Sequence, residues 1–196
     1  YPQLISKFAM GAVFYNQACT NYLGDKKLSS ASKPNDAPYK KGAKYTGKEH
    51  VWDEAFGYWG AAAHTLTLSP KQSYEVAKKK NLTAADYNKD GVVDAGTEMT
   101  YAHAYYASGF DKGGKTNYLE TVTRAFLTGR ETITSAKGQK LGWNGRNGGK
   151  GITKQAAIIC SNWEKVIAEA VFKYAGSVYK DLENMKENTD DAKMFG

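Results

Sequence analysis

The chain has 196 residues, of which 41% are hydrophobic, so it is long enough for one domain with a sizeable core. Lysine and arginine outnumber aspartate and glutamate by 27 to 20, but acidic residues are interspersed among the basic ones, which argues against the concentrated basic face of a nucleic-acid-binding protein. No apolar run reaches the roughly 18 residues of a transmembrane helix, so no membrane-spanning segment is expected.

Four long segments and two shorter ones repeat apolar side chains at the three- and four-residue spacing of amphipathic helices. The long helices are predicted over residues 3–23, 48–64, 116–136 and 152–187, and the short ones over 70–80 and 97–109. The intervening segments 25–48 and 137–151 lack this spacing and are predicted to be loops. We therefore expect an all-α helical bundle in a single domain, residues 1–196, with residues 65–115 as an excursion between the second and third long helices.

Cys19 and Cys160 are the two cysteines of the chain, and each lies on a predicted helix among apolar neighbours. Neither has the cysteine or histidine spacing of a zinc site. Two interpretations stay open: two buried free thiols, or a disulfide that ties the first helix to the last. Because the chain begins inside a helical pattern, we expect a mature product from which an N-terminal segment has been removed.

The most specific local signal is an oxygen-rich loop that follows the short helix at 70–80. Calcium takes six to eight oxygen ligands, and a tight loop supplies them from alternate positions, with a glycine at the sharp turn. Gly91 occupies the turn position of such an EF-hand-like loop. The expected calcium ligands are Asp86, Asn88, Asp90, Val92 through its carbonyl, Asp94 and Glu98.

The loop departs from the EF-hand pattern at its end. Thr97 stands where the bidentate glutamate belongs, and Glu98 comes one residue later. The alternative is a polar loop built from Asx turns and followed by a capped helix. We favour a calcium site with a structural role, in which the bound ion would fix residues 65–115 against the bundle.

A second polar constellation lies on the helix predicted at 48–64. His50, Asp53 and Glu54 share one face within about one turn, ~5.4 Å. The other faces are aromatic or small, which predicts a helix in the middle of the bundle, where ionisable groups need a partner or a metal. Because a histidine and a glutamate four residues apart can hold a transition metal, these three residues are candidate ligands, and His103 could add a fourth.

Other interpretations of this stripe need no metal. Acidic residues stabilise a helix N-terminus through its dipole, and Asp53 or Glu54 could instead pair with Arg124 or Arg130 of the 116–136 helix in a structural network. His64 would lie ~21 Å from the start of the stripe at 1.5 Å per residue, so we interpret it as a core histidine.

A family resemblance rests on residues 49–60, which read E-H-V-W-D-E-A-F-G-Y-W-G. This string resembles the signature of a bacterial cell-envelope family of unknown function, and so do the oxygen-rich loop, Phe126…Gly129-Arg130 and Trp163-Glu164-Lys165-Val166. The family is in turn similar to the imelysin-like group of helical bundles linked to iron acquisition. The imelysin-like motif is Gly-x-His-x-x-Glu, and here His50 and Asp53 have its spacing, with aspartate in place of glutamate.

The resemblance implies export to the periplasm or cell surface, with a lipid anchor on the removed N-terminal segment. It also implies iron or another transition metal as a ligand beside Ca²⁺. We therefore expect an exported metal-binding protein of the cell envelope, active in metal acquisition and stabilised by calcium, with metal ions and other cell-surface proteins as partners. No catalytic residue is assigned. Two alternatives stay open: a structural or adhesive surface protein with a buried salt-bridge network, and a metal-dependent hydrolase with Glu54 as general base.

Overall fold

The computed structural model describes residues 2–28, 33–139 and 149–187, and over these ranges it contains helices and no β-strand. The all-α prediction is thereby confirmed. Of the loop predicted at 137–151, residues 140–148 lie outside the described ranges. The eight α-helices of the described part are α1 (Pro2–Phe8), α2 (Asp25–Leu28), α3 (Gly47–Trp59), α4 (Pro70–Ala77), α5 (Leu82–Ala85), α6 (Ala102–Asp111), α7 (Tyr118–Ser135) and α8 (Gly149–Glu187).

The first helix is continuous from α1 into a π-helical segment, Ala9–Tyr22. At its end the N–H of Leu23 donates to the carbonyl of Ala18, five residues back, at 2.8 Å. Cys19 lies in this segment and forms a disulfide with Cys160 of α8, 141 residues away in sequence. The disulfide alternative is therefore confirmed, the free-thiol alternative is wrong, and the first and last helices are covalently joined.

Tryptophans from α3 and α8 mark the centre of the bundle. Trp52, Trp59 and Trp163 are all essentially inaccessible, and the rings of Trp59 and Trp163 meet edge to face with centroids 5.0 Å apart. The apolar face of α7 closes the same core with Leu119, Val122, Phe126 and Ile133. Each leucine, valine, isoleucine or phenylalanine buried in this way stabilises the fold by about 1.5–3 kcal/mol.

The ends of α3 are set by two local devices. At its start, Thr46 and Glu49 form a reciprocal capping box. At its end, Gly60 adopts φ 83°, and a β-carbon there would lie 2.8 Å from the backbone oxygen of Tyr101. The predicted end at residue 64 is therefore wrong, since a left-handed glycine stops the helix at Trp59.

The segment that precedes α3 wraps over the bundle. Asn35 is 1% exposed, and its side-chain amide donates to the carbonyls of Ile133 and Ala136, both at 2.9 Å. Its side-chain oxygen accepts a hydrogen bond from the hydroxyl of Thr46 at 2.8 Å. One buried asparagine thus satisfies the C-terminal carbonyls of α7 and fixes the loop that leads into α3.

The excursion at 65–115 contains a small core of its own. Val76, Ala85 and Met99 form this second cluster, while α6 places Ala104 and Ala107 in the main core. His64 is buried before the excursion begins, with its Nε2 3.1 Å from the carbonyl of Ala84. This contact agrees with its interpretation as a core histidine.

Helix α8 is the longest element, with 39 residues. Its first half contributes Ile159, Trp163 and Val166 to the core, whereas side chains from Val171 to Leu182 are exposed. None of the described helices combines the length and the apolar character that crossing a membrane requires.

Candidate functional site

The polar stripe of α3 meets a guanidinium from α7. The Nη1 atom of Arg130 lies 2.7 Å from Oε1 of Glu49, and its Nε lies 2.7 Å from Oδ1 of Asp53. Thr134 also donates to Oε1 of Glu49, at 3.0 Å. The arginine therefore pairs with Asp53 of the stripe, as the salt-bridge alternative predicts, and also with Glu49, which lies outside the stripe.

Glu49 is the buried member of this network, with a side chain 3% exposed. Burial alone would raise its pKa, but hydrogen bonds from the Thr46 backbone and the Thr134 hydroxyl, together with Arg130, hold the pKa below its usual value. Burial alone would lower the pKa of Arg130, but Asp53, and after it Glu49, raises this pKa above its usual value. Both groups are consequently charged throughout the neutral range.

The other half of the stripe is open to solvent. Nε2 of His50 lies 3.3 Å from Oε1 of Glu54, with side chains 24% and 37% exposed, and Asp53 is 52% exposed. The expectation that α3 is enclosed on every face is therefore wrong, because the stripe lies at the surface of the bundle. Arg124, the other arginine considered, pairs with Glu120 on its own helix at 2.6 Å.

The four candidate transition-metal ligands do not form one cluster in the structure. His50 and Glu54 touch each other, Asp53 binds Arg130, and His103 packs against Trp163 on another side of the core. Within the described ranges, no three His, Cys, Asp or Glu side chains converge as they would around a metal ion. The transition-metal site stays a prediction, and the recorded contacts favour the salt-bridge alternative.

A close packing contact lies directly beside the ion pairs. The indole of Trp52 packs on Gly129, where a β-carbon would lie 2.0 Å from its Cζ2 atom, and the indole N–H donates to the carbonyl of Phe126 at 2.8 Å. We define the α3–α7 joint as Glu49, Trp52 and Asp53 of α3 with Phe126, Gly129 and Arg130 of α7. Sequence reasoning missed Glu49, Trp52 and Gly129, although a glycine inside a predicted helix is a signal of close packing.

The oxygen-rich loop is organised around one backbone amide. The N–H of Asp90 lies 3.2 Å from Oδ1 of Asp86 and 3.0 Å from Oδ1 of Asn88. The next N–H, of Gly91, donates to the second oxygen of Asp86 at 3.0 Å, and Gly91 itself has φ 82°. The first and third loop positions therefore converge at the sharp turn where the pattern predicts the glycine.

Glu98 closes the same loop from the inside. It is 5% exposed, its Oε1 accepts from the N–H groups of Tyr87 and Asn88 at 3.0 and 3.3 Å, and its Oε2 accepts from the N–H of Asp94 at 2.8 Å. Asp94 in turn accepts from the backbone of Gly96 and Thr97, which lowers its pKa. Glu98 thus holds both ends of the loop by hydrogen bonds to the backbone.

The helices around the loop differ from those of an EF-hand. The loop follows α5, which has only four residues, and the helix predicted from 97 begins at Ala102. The predicted start is wrong because residues 95–98 form a turn held by Asp94 and Glu98. A calcium site here would be a loop site, without the paired long helices.

The comparison with protein families covers nearly the whole chain. The profile of a domain of unknown function, DUF4856, matches residues 1–195. The chain belongs to the DUF4856 family. No match was found among curated proteins or among solved structures.

In this DUF4856 chain, two of the four segments that carry the resemblance pack against each other. The string at 49–60 supplies the α3 side of the joint, and Phe126…Gly129-Arg130 supplies the α7 side. Trp59 of the same string lies in the core, and Gly60 ends helix α3. These positions are therefore explained by packing and charge pairing within the bundle.

Proposed function

We propose that this DUF4856 protein is an exported cell-envelope protein that binds calcium through the loop at 86–98. The observation that carries the proposal is the convergence of the Asp86 and Asn88 oxygens on the N–H of Asp90, at a left-handed glycine turn. Calcium prefers oxygen ligands held at alternate positions of such a turn. The bound ion would hold the excursion in a fixed arrangement against the bundle.

The donor set fits a hard cation. Asp86 and Asp90 supply carboxylates, Asn88 an amide oxygen and Val92 a carbonyl, so every available ligand atom is oxygen. A carboxylate has about four lone-pair sites, so an oxygen that accepts one N–H retains capacity for a metal. Glu98 would support the site by fixing the loop backbone, and Asp94 would act through a water.

The disulfide supports export. Cys19–Cys160 joins two helices across the bundle, and such bonds persist in oxidising compartments outside the cytosol. We extend the proposal to the periplasm or cell surface, to a lipid anchor and to a distant relationship with the imelysin-like group, all of which rest on the sequence resemblance alone.

A second candidate is a structural or adhesive surface protein, and the α3–α7 joint favours it over metal acquisition. Arg130 already satisfies Glu49 and Asp53, so a transition metal would find only His50 and Glu54 side by side. Two ligands from one helix leave most of a coordination sphere to water. Calcium binding is compatible with this candidate, because the ion would serve stability.

Calorimetric titration of chelator-treated protein with calcium tests the proposal. We expect saturable binding, and at a calcium concentration 100 times the dissociation constant a stabilisation of about 2.7 kcal/mol. For a chain of this length that raises Tm by about 5–10 °C. The double variant Asp86→Asn and Asp90→Asn should lose both effects, whereas the matched exposed variant Asp181→Asn on α8 should keep them. Absence of both binding heat and a Tm shift in the unmodified chain would rule the proposal out.

A further inference from the structure

A second feature, independent of the loop, is a cavity of about 140 Å³ between the first helix, α6 and α8. Its volume is close to that of an apolar cavity of about 150 Å³ that binds benzene. Its accessible surface is almost wholly apolar, with walls that include Met10, Ile167, Ala170 and Val171. We define the polar edge as the lining residues that carry polar groups, which are Lys7, His103, Tyr106 and Tyr174.

The polar edge carries a positive charge without a counter-ion. The ammonium of Lys7 donates to the hydroxyl of Tyr106, whose oxygen is 3.0 Å from the hydroxyl of Tyr174. The same ammonium lies 4.9 and 5.7 Å from the centroids of these two rings. Among the residues that the structure describes, no carboxylate lies within 4.0 Å of the Lys7 ammonium. An ammonium has three donors, so Lys7 keeps donor capacity for an anion.

His103 adds an unsatisfied polar atom to the cavity wall. It is 5% exposed, and its Nδ1 has no hydrogen-bond partner within the described part of the chain. Burial, together with the nearby charge of Lys7, lowers its pKa to about 4, so the ring is neutral at neutral pH. Nδ1 is itself shielded from solvent, so the imidazole forms part of the wall and the charge at this edge comes from Lys7.

We propose that this cavity binds a small monocarboxylate whose apolar body is about the size of a benzene ring. The apolar walls contact the body, and the carboxylate accepts from the ammonium of Lys7 and from the one hydroxyl of the Tyr106–Tyr174 pair whose proton is not donated to the other. The cavity is open to solvent at Val171 and Tyr174, which are 62% and 45% exposed, so its inner apolar part limits only the buried portion of the ligand, and the lysine selects for the anion.

Titration with benzoate at neutral pH tests the proposal, with its uncharged analogue benzamide as the matched control. We expect one saturable site for benzoate and at least about 10-fold weaker binding of benzamide, because one lost charge-assisted hydrogen bond accounts for a factor of that order. Lys7→Met should weaken benzoate by at least about 10-fold. Lys165→Met, an exposed lysine of α8 away from the cavity, should leave the affinity unchanged.

A second variant tests the cavity without touching the charge. Ala170→Leu places a larger side chain in the apolar wall, so benzoate binding should be lost while Tm and the helical circular dichroism remain near those of the unmodified chain. The proposal is overturned if benzoate does not saturate, if benzamide binds as tightly, or if both Lys7→Met and Ala170→Leu leave the affinity unchanged. Should Lys7→Met fail to fold, the Ala170→Leu result decides.

Discussion

The α3–α7 joint and the loop at 86–98 both concentrate carboxylates, but they neutralise them differently. In the joint, Arg130 pairs with Glu49 and Asp53. In the loop, the acidic side chains accept hydrogen bonds from backbone N–H groups, and no basic side chain of the described residues lies within 4.0 Å of them. The acids of the joint therefore have a positive partner, whereas those of the loop keep a net negative charge, which the proposed calcium ion would offset.

The largest effect is expected from the joint. Trp52→Ala removes an indole that is 1% exposed and packed on Gly129, so the free energy of unfolding should fall by about 3–5 kcal/mol. Calcium affinity at the loop should remain within about twofold, since sites without shared partners act independently. Chemical denaturation and calorimetry measure the two quantities. Phe172→Ala is the aromatic control: it is 76% exposed, and a change of about 0.5 kcal/mol or less is expected.

Removing the guanidinium tests the charge pairing directly. Arg130→Met leaves the buried Glu49 with only the half-exposed ammonium of Lys137, 3.9 Å from its Oε2, as a cation. We expect a loss of about 2–3 kcal/mol, below the value for a fully buried pair because Arg130 is 30% exposed and Lys137 remains. Adding Glu49→Gln should restore most of the loss, because the uncompensated charge disappears. The control Arg124→Met breaks only an exposed pair within one helix and should cost about 0.5 kcal/mol or less. No rescue by the double variant would mean that the charge of Glu49 is not the cause.

The same pair predicts a pH dependence. The pKa of Glu49 is lower in the folded chain than in the unfolded one, so its contribution is complete above the unfolded pKa of about 4.3 and is lost as the pH falls through the folded value. The stability difference between the unmodified chain and Arg130→Met should therefore be constant near neutral pH and shrink in acid. Urea denaturation at a series of pH values measures it, and a difference that grows in acid would contradict the assignment.

The smallest stability effect is expected in the loop. Gly91 has φ 82° with free space around it, so Gly91→Ala strains the backbone without a clash and should cost about 1–2 kcal/mol. Calcium binding should weaken by about 10-fold, equivalent to about 1.4 kcal/mol, because the turn sets the ligand positions. Gly57→Ala, at an open position of α3 with helical φ, is the control and should leave calcium affinity unchanged. If Gly91→Ala binds calcium as tightly as the unmodified chain, the turn does not set the positions of the calcium ligands.

The helices could be predicted where one face stays apolar over many turns. Helix α7 runs over Tyr118–Ser135 against a prediction of 116–136, and α8 begins three residues before its predicted start. The end of α3 was missed because the string at 49–60 contains two glycines: Gly57 lies inside the helix, whereas Gly60, against the distant backbone of Tyr101, ends it. Local periodicity does not include such tertiary contacts.

The candidate sites also differ in how far they depend on local sequence or on tertiary contacts. The loop at 86–98 is local, and its glycine turn falls where the spacing predicts it. The stripe depends on a second helix: Arg130 was one of two possible partners, and no pattern on α3 distinguishes it from Arg124. The cavity is beyond sequence reasoning altogether, since Lys7 and His103 come from different helices and meet only in the folded bundle.

Elemental analysis of the native protein, purified without chelator, tests the contrast between the two acidic regions most directly. We predict about one calcium per chain, lost in the double variant Asp86→Asn and Asp90→Asn, and no stoichiometric iron or other transition metal. The contradictory result is a stoichiometric transition metal that disappears in His50→Ala while calcium is absent. That outcome would place the ion at the stripe of α3 and leave the loop as a hydrogen-bonded turn.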